Sequence, residues 1–124
     1  MSADICNSGN IDWKERSLAL KDAIELLSGK WRFSILKNLA HGALRFTDLQ
    51  ERLQISPKVL TRELQELEQN LLIVRTVKNT KPVTVEYAVT TYAKEIRGVM
   101  EALIIFGEKH RKTIKAQMRA AADR

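Results

Sequence analysis

Hydrophobic positions along the chain change period twice, and the changes divide it into helices, a hairpin and a last long helix. From Trp13 apolar residues recur at helical spacing, with Leu20, Ile24 and Leu27 on one stripe, and Gly29 supplies a stop. Ser28 is placed to help cap the segment that follows, a second helix holding Trp31, Ile35, Leu36 and Leu39 until His41-Gly42 ends it. Residues 44–70, LRFTDLQERLQISPKVLTRELQELEQN, carry two further helix starts written in capping chemistry. Thr47 stands three residues before Gln50, the spacing of a capping box. Ser56 precedes Pro57, so a hydroxyl can cap orphan amides while proline takes the first helical position. Leu49 and Leu53 give the first of these helices an apolar side, and the second repeats leucine at 60, 64, 67 and 71. A short helix, a tight turn and an amphipathic second helix predict a helix-turn-helix.

Past residue 72 the period drops to two. Residues 73–77 (IVRTV) and 83–89 (VTVEYAV) are β-branched and alternate, as strands do, and residues 78–82 (KNTKP) between them predict a turn. From residue 75 to residue 83 the bases Arg75, Lys78 and Lys81 meet no acid. In isolation this is an ordinary hairpin with a solvated loop; directly after a helix-turn-helix, it reads as a wing. Thr90 suits the N-cap of a final helix that meets no proline before the C-terminus. There Ile96, Val99, Leu103, Phe106 and His110 follow a 3,4 spacing, widened by Met100 and Ile104. Some 20 to 30 helical residues make a rod of roughly 30–45 Å, more than a domain of this size covers. Either Trp13, Leu20 and Ile24 cover the stripe within one chain, or a second copy does. The expectation is a homodimer whose interface joins Trp13, Leu20 and Ile24 to Ile96, Val99, Leu103 and Phe106.

Length and composition narrow the class. The 124 residues suffice for one domain with a real core, and 44% apolar with 29% charged residues is ordinary for a soluble globular chain. The net charge of +6 favours an anionic partner, of which nucleic acid is the commonest, although a basic surface also serves solubility. No apolar run approaches the roughly 20 residues of a membrane span, and the first residues lack a signal peptide's apolar core. Cys6 is the single cysteine, which rules out an internal disulfide and points to a reducing compartment. A cytoplasmic location follows as the expectation. The organisation expected is a flexible arm over residues 1–12, a winged helix-turn-helix domain with terminal dimerisation helices over 13–110, and a basic helical tail over 111–124.

Charge also marks a candidate surface. At about 100° per residue the leucine stripe centres between Leu60 and Leu64, leaving Lys58, Arg62 and Gln65 opposite, with Ser56 and Thr61 beside them. These side-chain types reach phosphates and base edges in a major groove. A solvated face is the plainer account of one such helix, and Glu63, Glu66 and Glu68 make its far half acidic. Lys78, Asn79 and Lys81 are the corresponding candidates at the wing. Residues 29–47 add Lys30, Arg32, Lys37 and Arg45 with no acid, a set expected mostly on the surface with one or two members in reach of a phosphate. Catalysis finds no support. His41 and His110 are far apart in sequence, one cysteine makes neither a zinc site nor a nucleophile pair, and the glycines build no phosphate loop. No enzyme activity, cofactor or metal is therefore expected.

The motifs taken together resemble the HxlR-type winged helix-turn-helix regulators. Ser28-Gly29-Lys30-Trp31 is similar to that family's G-G-K-W, Arg45-Phe46-Thr47-Asp48-Leu49 to its R-F-x-[ED]-L, and Ile55-Ser56-Pro57-Lys58-Val59-Leu60 to its I-S-x-K-x-L. Arg75-Thr76-Val77 and Val85-Glu86-Tyr87 match the strands flanking its wing, and the likeness spans about residues 18–110. The resemblance implies an α+β winged-helix domain, a homodimer, double-stranded DNA as partner and transcription regulation from an inverted-repeat operator. A winged helix used for protein contact, or a non-specific nucleic-acid binder relying on the tail, are the alternatives. The chain also departs from the pattern. Several family members sense oxidants through a cysteine ahead of the first stripe, and Leu18 stands there; Cys6, in a polar stretch with no basic neighbour, reads as an inert thiol rather than a sensor. Thr84 replaces an arginine of the wing. Ala93 replaces a glycine of the last helix and should firm it. Leu71 replaces a glycine after the second helix of the pair, so Asn70 is expected to take the left-handed cap.

Overall fold

Ile35, Leu39, Leu49, Leu60, Leu64, Leu67 and Leu72 are the largest fully buried side chains; six lie on three helices and Leu72 in the turn that follows the third. The structure, a computed structural model, describes residues 12–123. In chain order it contains α1 (Asp12–Leu27), α2 (Arg32–Leu39), β1 (Leu44–Arg45), α3 (Phe46–Leu53), α4 (Pro57–Gln69), β2 (Ile73–Lys78), β3 (Thr84–Val89), a 3₁₀ turn (Tyr92–Glu95) and α5 (Ile96–Ala122). This is the α+β winged helix-turn-helix that the periodicity predicts. Cys6 and the expected arm, apart from Asp12, lie outside the described residues.

The helices α2, α3 and α4 turn their leucines and isoleucines to one shared core, closed from the other side by Ile73 and Tyr87 of the sheet. Burying an aliphatic side chain of this size is worth about 1.5–3 kcal/mol, so Leu60, Leu64 and Leu67 together fix which way α4 faces. The sheet is antiparallel in the order β1-β3-β2. Its hairpin runs in register from Ile73 opposite Val89 to Lys78 opposite Thr84. Strand β1, which the periodicity does not foresee, pairs Leu44 with Tyr87 and Arg45 with Glu86. Two residues carry too little pattern to read as a strand, yet they tie the start of α3 to the wing.

Several local expectations are corrected. Helix α3 begins one residue before Thr47, so the capping box is not Thr47 with Gln50; the N-cap is Arg45, whose backbone N–H donates to the Asp48 carboxylate at 3.0 Å. Ser28 caps nothing ahead of it: α2 starts from Trp31 without a side-chain cap, and the Ser28 hydroxyl reaches back to the Glu25 carbonyl at 3.5 Å. Leu71 does not extend the α4 stripe. It sits beyond the helix, 68% exposed, and Leu72 is the residue that turns inward. Leu71 also takes the left-handed conformation itself, at φ 66°, while Asn70 stays at φ −91°. The left-handed turn at Leu71 comes immediately before Leu72 and Ile73, two successive residues that are both buried in the core. Thr90 does cap, but it caps the 3₁₀ turn leading into α5, accepting the Ala93 N–H at 3.1 Å. Lys78 belongs to β2 rather than to the turn, and β3 begins at Thr84.

The two end helices behave unlike the rest. Neither α1 nor α5 has a buried residue, so they do not cover each other within the chain. Helix α5 runs 27 residues, about 40 Å at 1.5 Å per residue, and passes the expected start of the tail at residue 111 without a break.

Candidate nucleic-acid interface

Helix α4 is held from below and capped from the front. The Ser56 hydroxyl accepts the Val59 N–H at 3.3 Å and Pro57 occupies the first turn, so the N-terminal end is well formed. With Leu60, Leu64 and Leu67 buried, Lys58, Thr61, Arg62 and Gln65 are all exposed, as is Ser56. Lys58, Arg62 and Gln65 lie within about 60° of one another around the helix axis and within about 10 Å along it. That strip fits a major groove about 12 Å wide. Among the described residues, Lys58 and Arg62 make no ion pair and their side chains no hydrogen bond, so both charges are free to meet an anion.

Glu63 departs from the expected picture of an acidic outer end. It is buried beside the leucines, and its carboxylate accepts from Arg32 Nε at 3.2 Å. The wheel could have shown this, since residue 63 stands within about 40° of Leu67. The pairing could not have been read, because Arg32 lies on α2. Arg32, expected with the surface bases of residues 29–47, is instead turned inward; its Nη1 donates to the Leu26 carbonyl at 2.6 Å and the Glu25 carbonyl at 3.2 Å. Of the others, Lys37 is exposed, Lys30 lies 4.9 Å over the Trp31 ring and Arg45 pairs with Asp48 at 3.5 Å. The Arg45 backbone N–H, and then the Arg45 guanidinium, hold the Asp48 carboxyl below its ordinary value of 3.8.

At the wing, Asn79 and Lys81 are exposed on the loop. Thr80 organises that loop, its hydroxyl donating to the Pro82 carbonyl at 2.7 Å and lying 3.2 Å from the Thr84 hydroxyl. Lys78 is partly neutralised by Glu86, 3.2 Å away across the hairpin. No acid is near Lys78 in sequence; the cross-strand register supplies one. The two clusters, on α4 and on the wing, are therefore joined through one core and one sheet but are chemically unequal.

The residues expected at a dimer contact divide in the same way. Trp13, Leu20, Ile24, Val99, Leu103 and Phe106 are exposed, whereas Ile96 packs against its own chain's core. His110 stacks on Phe106 with ring centroids 5.9 Å apart. Among the described residues no His, Cys, Asp and Glu cluster could hold a metal ion, and no helix is long and apolar enough to cross a membrane.

Comparison with known proteins accounts for this arrangement. Residues 26–115 match the family model of the HxlR-like helix-turn-helix. The chain is similar to YtcD of Bacillus subtilis (strain 168), an uncharacterized HTH-type transcriptional regulator, with 34% identity over 98 residues covering 78% of each chain. An uncharacterized HTH-type transcriptional regulator of Methanothermobacter thermautotrophicus is 36% identical over 89 residues, 71% of this chain and 68% of that one. The crystal structure of ytcD superposes with a TM-score of 0.70 at 34% identity, covering 75% of this chain and 96% of the other. The reduced form of YodB from Bacillus subtilis does so with a TM-score of 0.70 at 30% identity, covering 73% and 90%. The chain belongs to the HxlR-like helix-turn-helix family, as a winged helix-turn-helix, DNA-binding transcriptional regulator.

Proposed function

We propose that the protein acts as a homodimer on an inverted-repeat operator, with α4 of each subunit in a major groove. The single observation that carries this reading is the division of α4: three leucines locked in the core and, opposite them, two unpaired cations and a glutamine. Lys58, Arg62 and Gln65 read base edges, and Ser56 and Thr61 beside them contact the backbone near the helix start, where backbone amides also favour phosphate. Lys81 and Asn79 at the wing tip, with Lys78 behind them, add affinity through phosphates rather than sequence discrimination.

The dimer is formed by the two helices that their own chain leaves uncovered. Val99, Leu103 and Phe106 of α5 and Trp13, Leu20 and Ile24 of α1 present the apolar surface, and Ile96 supports α5 from within its own subunit. An isologous pairing of this kind relates the two α4 helices by a two-fold axis, which is why the operator is an inverted repeat.

Arg62→Ala tests the reading. A bidentate contact discriminates by about 1–3 kcal/mol, so the variant should lose about 5- to 150-fold in preference for operator over random DNA while remaining folded and dimeric. Unchanged discrimination in a competition titration would remove Arg62 from base readout.

A further inference from the structure

Helix α1 reaches the rest of the molecule through very little. It is 16 residues long with none buried, and only Leu26 and Leu27 at its end are half-buried. Of its side chains only Leu26, at the C-terminal end, packs against the core, and one apolar contact at one end leaves the helix angle weakly set. What it has besides is Arg32. The last carbonyls of a helix are orphaned acceptors at the negative end of its dipole. Arg32 Nη1 donates to two of them, at Leu26 and Glu25, while Nε of the same guanidinium donates to Glu63 on the inner side of α4. Both charged side chains are largely enclosed, 16% and 11% exposed. Gly29 makes the approach feasible: at φ 127° it reverses the chain so that the first residue of α2 faces back onto the end of α1.

We infer that Arg32 is a positioning residue for DNA recognition, clamping the dimer helix α1 to the recognition helix α4 and thereby setting the half-site spacing the protein accepts. The inference rests on the homodimeric reading given above. Arg32 contacts no DNA in this scheme. It acts through Glu63, one residue along α4 from Arg62, and its planar fork holds two helices with a fixed geometry that a lysine would not reproduce. Inserting one base pair between half-sites rotates the second by about 35°, so a dimer with a stiff joint between α1 and α4 rejects it and a dimer with a loose joint tolerates it.

The test compares the wild-type chain with the double variant Arg32→Met/Glu63→Gln, which removes both charges and leaves no uncompensated buried carboxylate. Arg32→Lys serves as the conservative single variant. DNA selected from a random pool by the wild-type protein supplies the operator. Duplexes with the spacing changed by one base pair either way, and a duplex holding one half-site, are titrated against each protein, and each protein is sedimented. The wild type should prefer its own spacing by about tenfold, within the roughly 5- to 150-fold typical of coupling between two binding sites. The double variant should fall below about threefold, Arg32→Lys should lie between, and single-half-site affinity and dimerisation should be unchanged. A double variant that keeps the full spacing preference overturns the inference. So does one that loses single-half-site affinity as much as operator affinity, since Arg32 would then only be supporting α4. A wild type that sediments as a monomer overturns the dimer itself, and is distinguished from the first two outcomes by that measurement.

Discussion

Glutamate placed on the α5 stripe should separate the subunits, and the size of the effect can be worked from exposure. Leu103 is 52% and Phe106 67% exposed in the single chain. Fully burying such a side chain is worth about 1.5–3 kcal/mol, so these two residues offer roughly 2–4 kcal/mol per subunit to association. In a symmetric dimer each contact occurs twice, giving about 4–8 kcal/mol, or on the order of 10³- to 10⁶-fold in dissociation constant. Leu103→Glu/Phe106→Glu forfeits that term and sets carboxylates against an apolar surface. Sedimentation should show wild type as a dimer at micromolar concentration and the variant as a monomer, with operator binding weakened in step. Circular dichroism should be unchanged, because neither side chain belongs to the buried core. A wild type that sediments as a monomer, or a variant that stays dimeric, would refute the reasoning.

Three further outcomes follow from local chemistry. Lys81→Ala should lower the slope of log affinity against log salt by about 0.9, and Lys78→Ala by less because Glu86 already partners it; equal slopes for the two variants would contradict this ranking. Leu71→Gly should raise the urea midpoint: removing a left-handed side chain relieves about 1–2 kcal/mol against a chain-entropy cost of about 0.5–1, and Leu71→Val should lower it. Asp48→Ala, which removes the N3 acceptor of the capping box, should destabilise by about 0.3–1.5 kcal/mol at neutral pH. The folded carboxyl is held below 3.8, so its stabilisation is complete above that value and disappears as pH falls through the lower folded one; the variant and wild type should therefore converge in acid unfolding.

What the sequence showed of this fold was the part written in period and capping. The leucines of α4, the Ser56-Pro57 start and the alternation of β2 and β3 each depend on neighbours in sequence, and each was legible. The exposed identity of Lys58, Arg62 and Gln65 follows from the same arithmetic. Features that depend on distant residues were not legible. Lys78 looks free until the hairpin register brings Glu86 to it, and Arg32 looks like surface charge until α4 presents Glu63. Strand β1 exists only because β3 is beside it. Leu71 is an intermediate case. The resemblance implies a glycine at this position, and it is Leu71 itself, not Asn70, that takes the left-handed conformation.

These distant contacts divide the molecule mechanically. Helices α2 to α4 and the hairpin share one core, and β1 binds the entry of α3 to the wing, so the surfaces assigned to the major groove and to the flanking phosphates move as a single body. The two helices assigned to the proposed dimer contact meet that body through limited apolar contacts, Leu26 for α1 and Ile96 for α5, and each also has a polar joint to it. Arg32 makes the joint to α1. Thr90 makes the joint to α5, its hydroxyl donating to the Leu71 carbonyl at 2.7 Å while accepting the Ala93 N–H at 3.1 Å, and its own N–H donating to the Leu72 carbonyl at 3.1 Å. Both joints attach near α4, one through Glu63 and one through the turn just after the helix. A packed core resists small displacements, whereas a joint of a few hydrogen bonds yields at modest cost. On the homodimeric reading proposed above, affinity for one half-site is accordingly assigned to the rigid body, and the spacing between two half-sites to the joints.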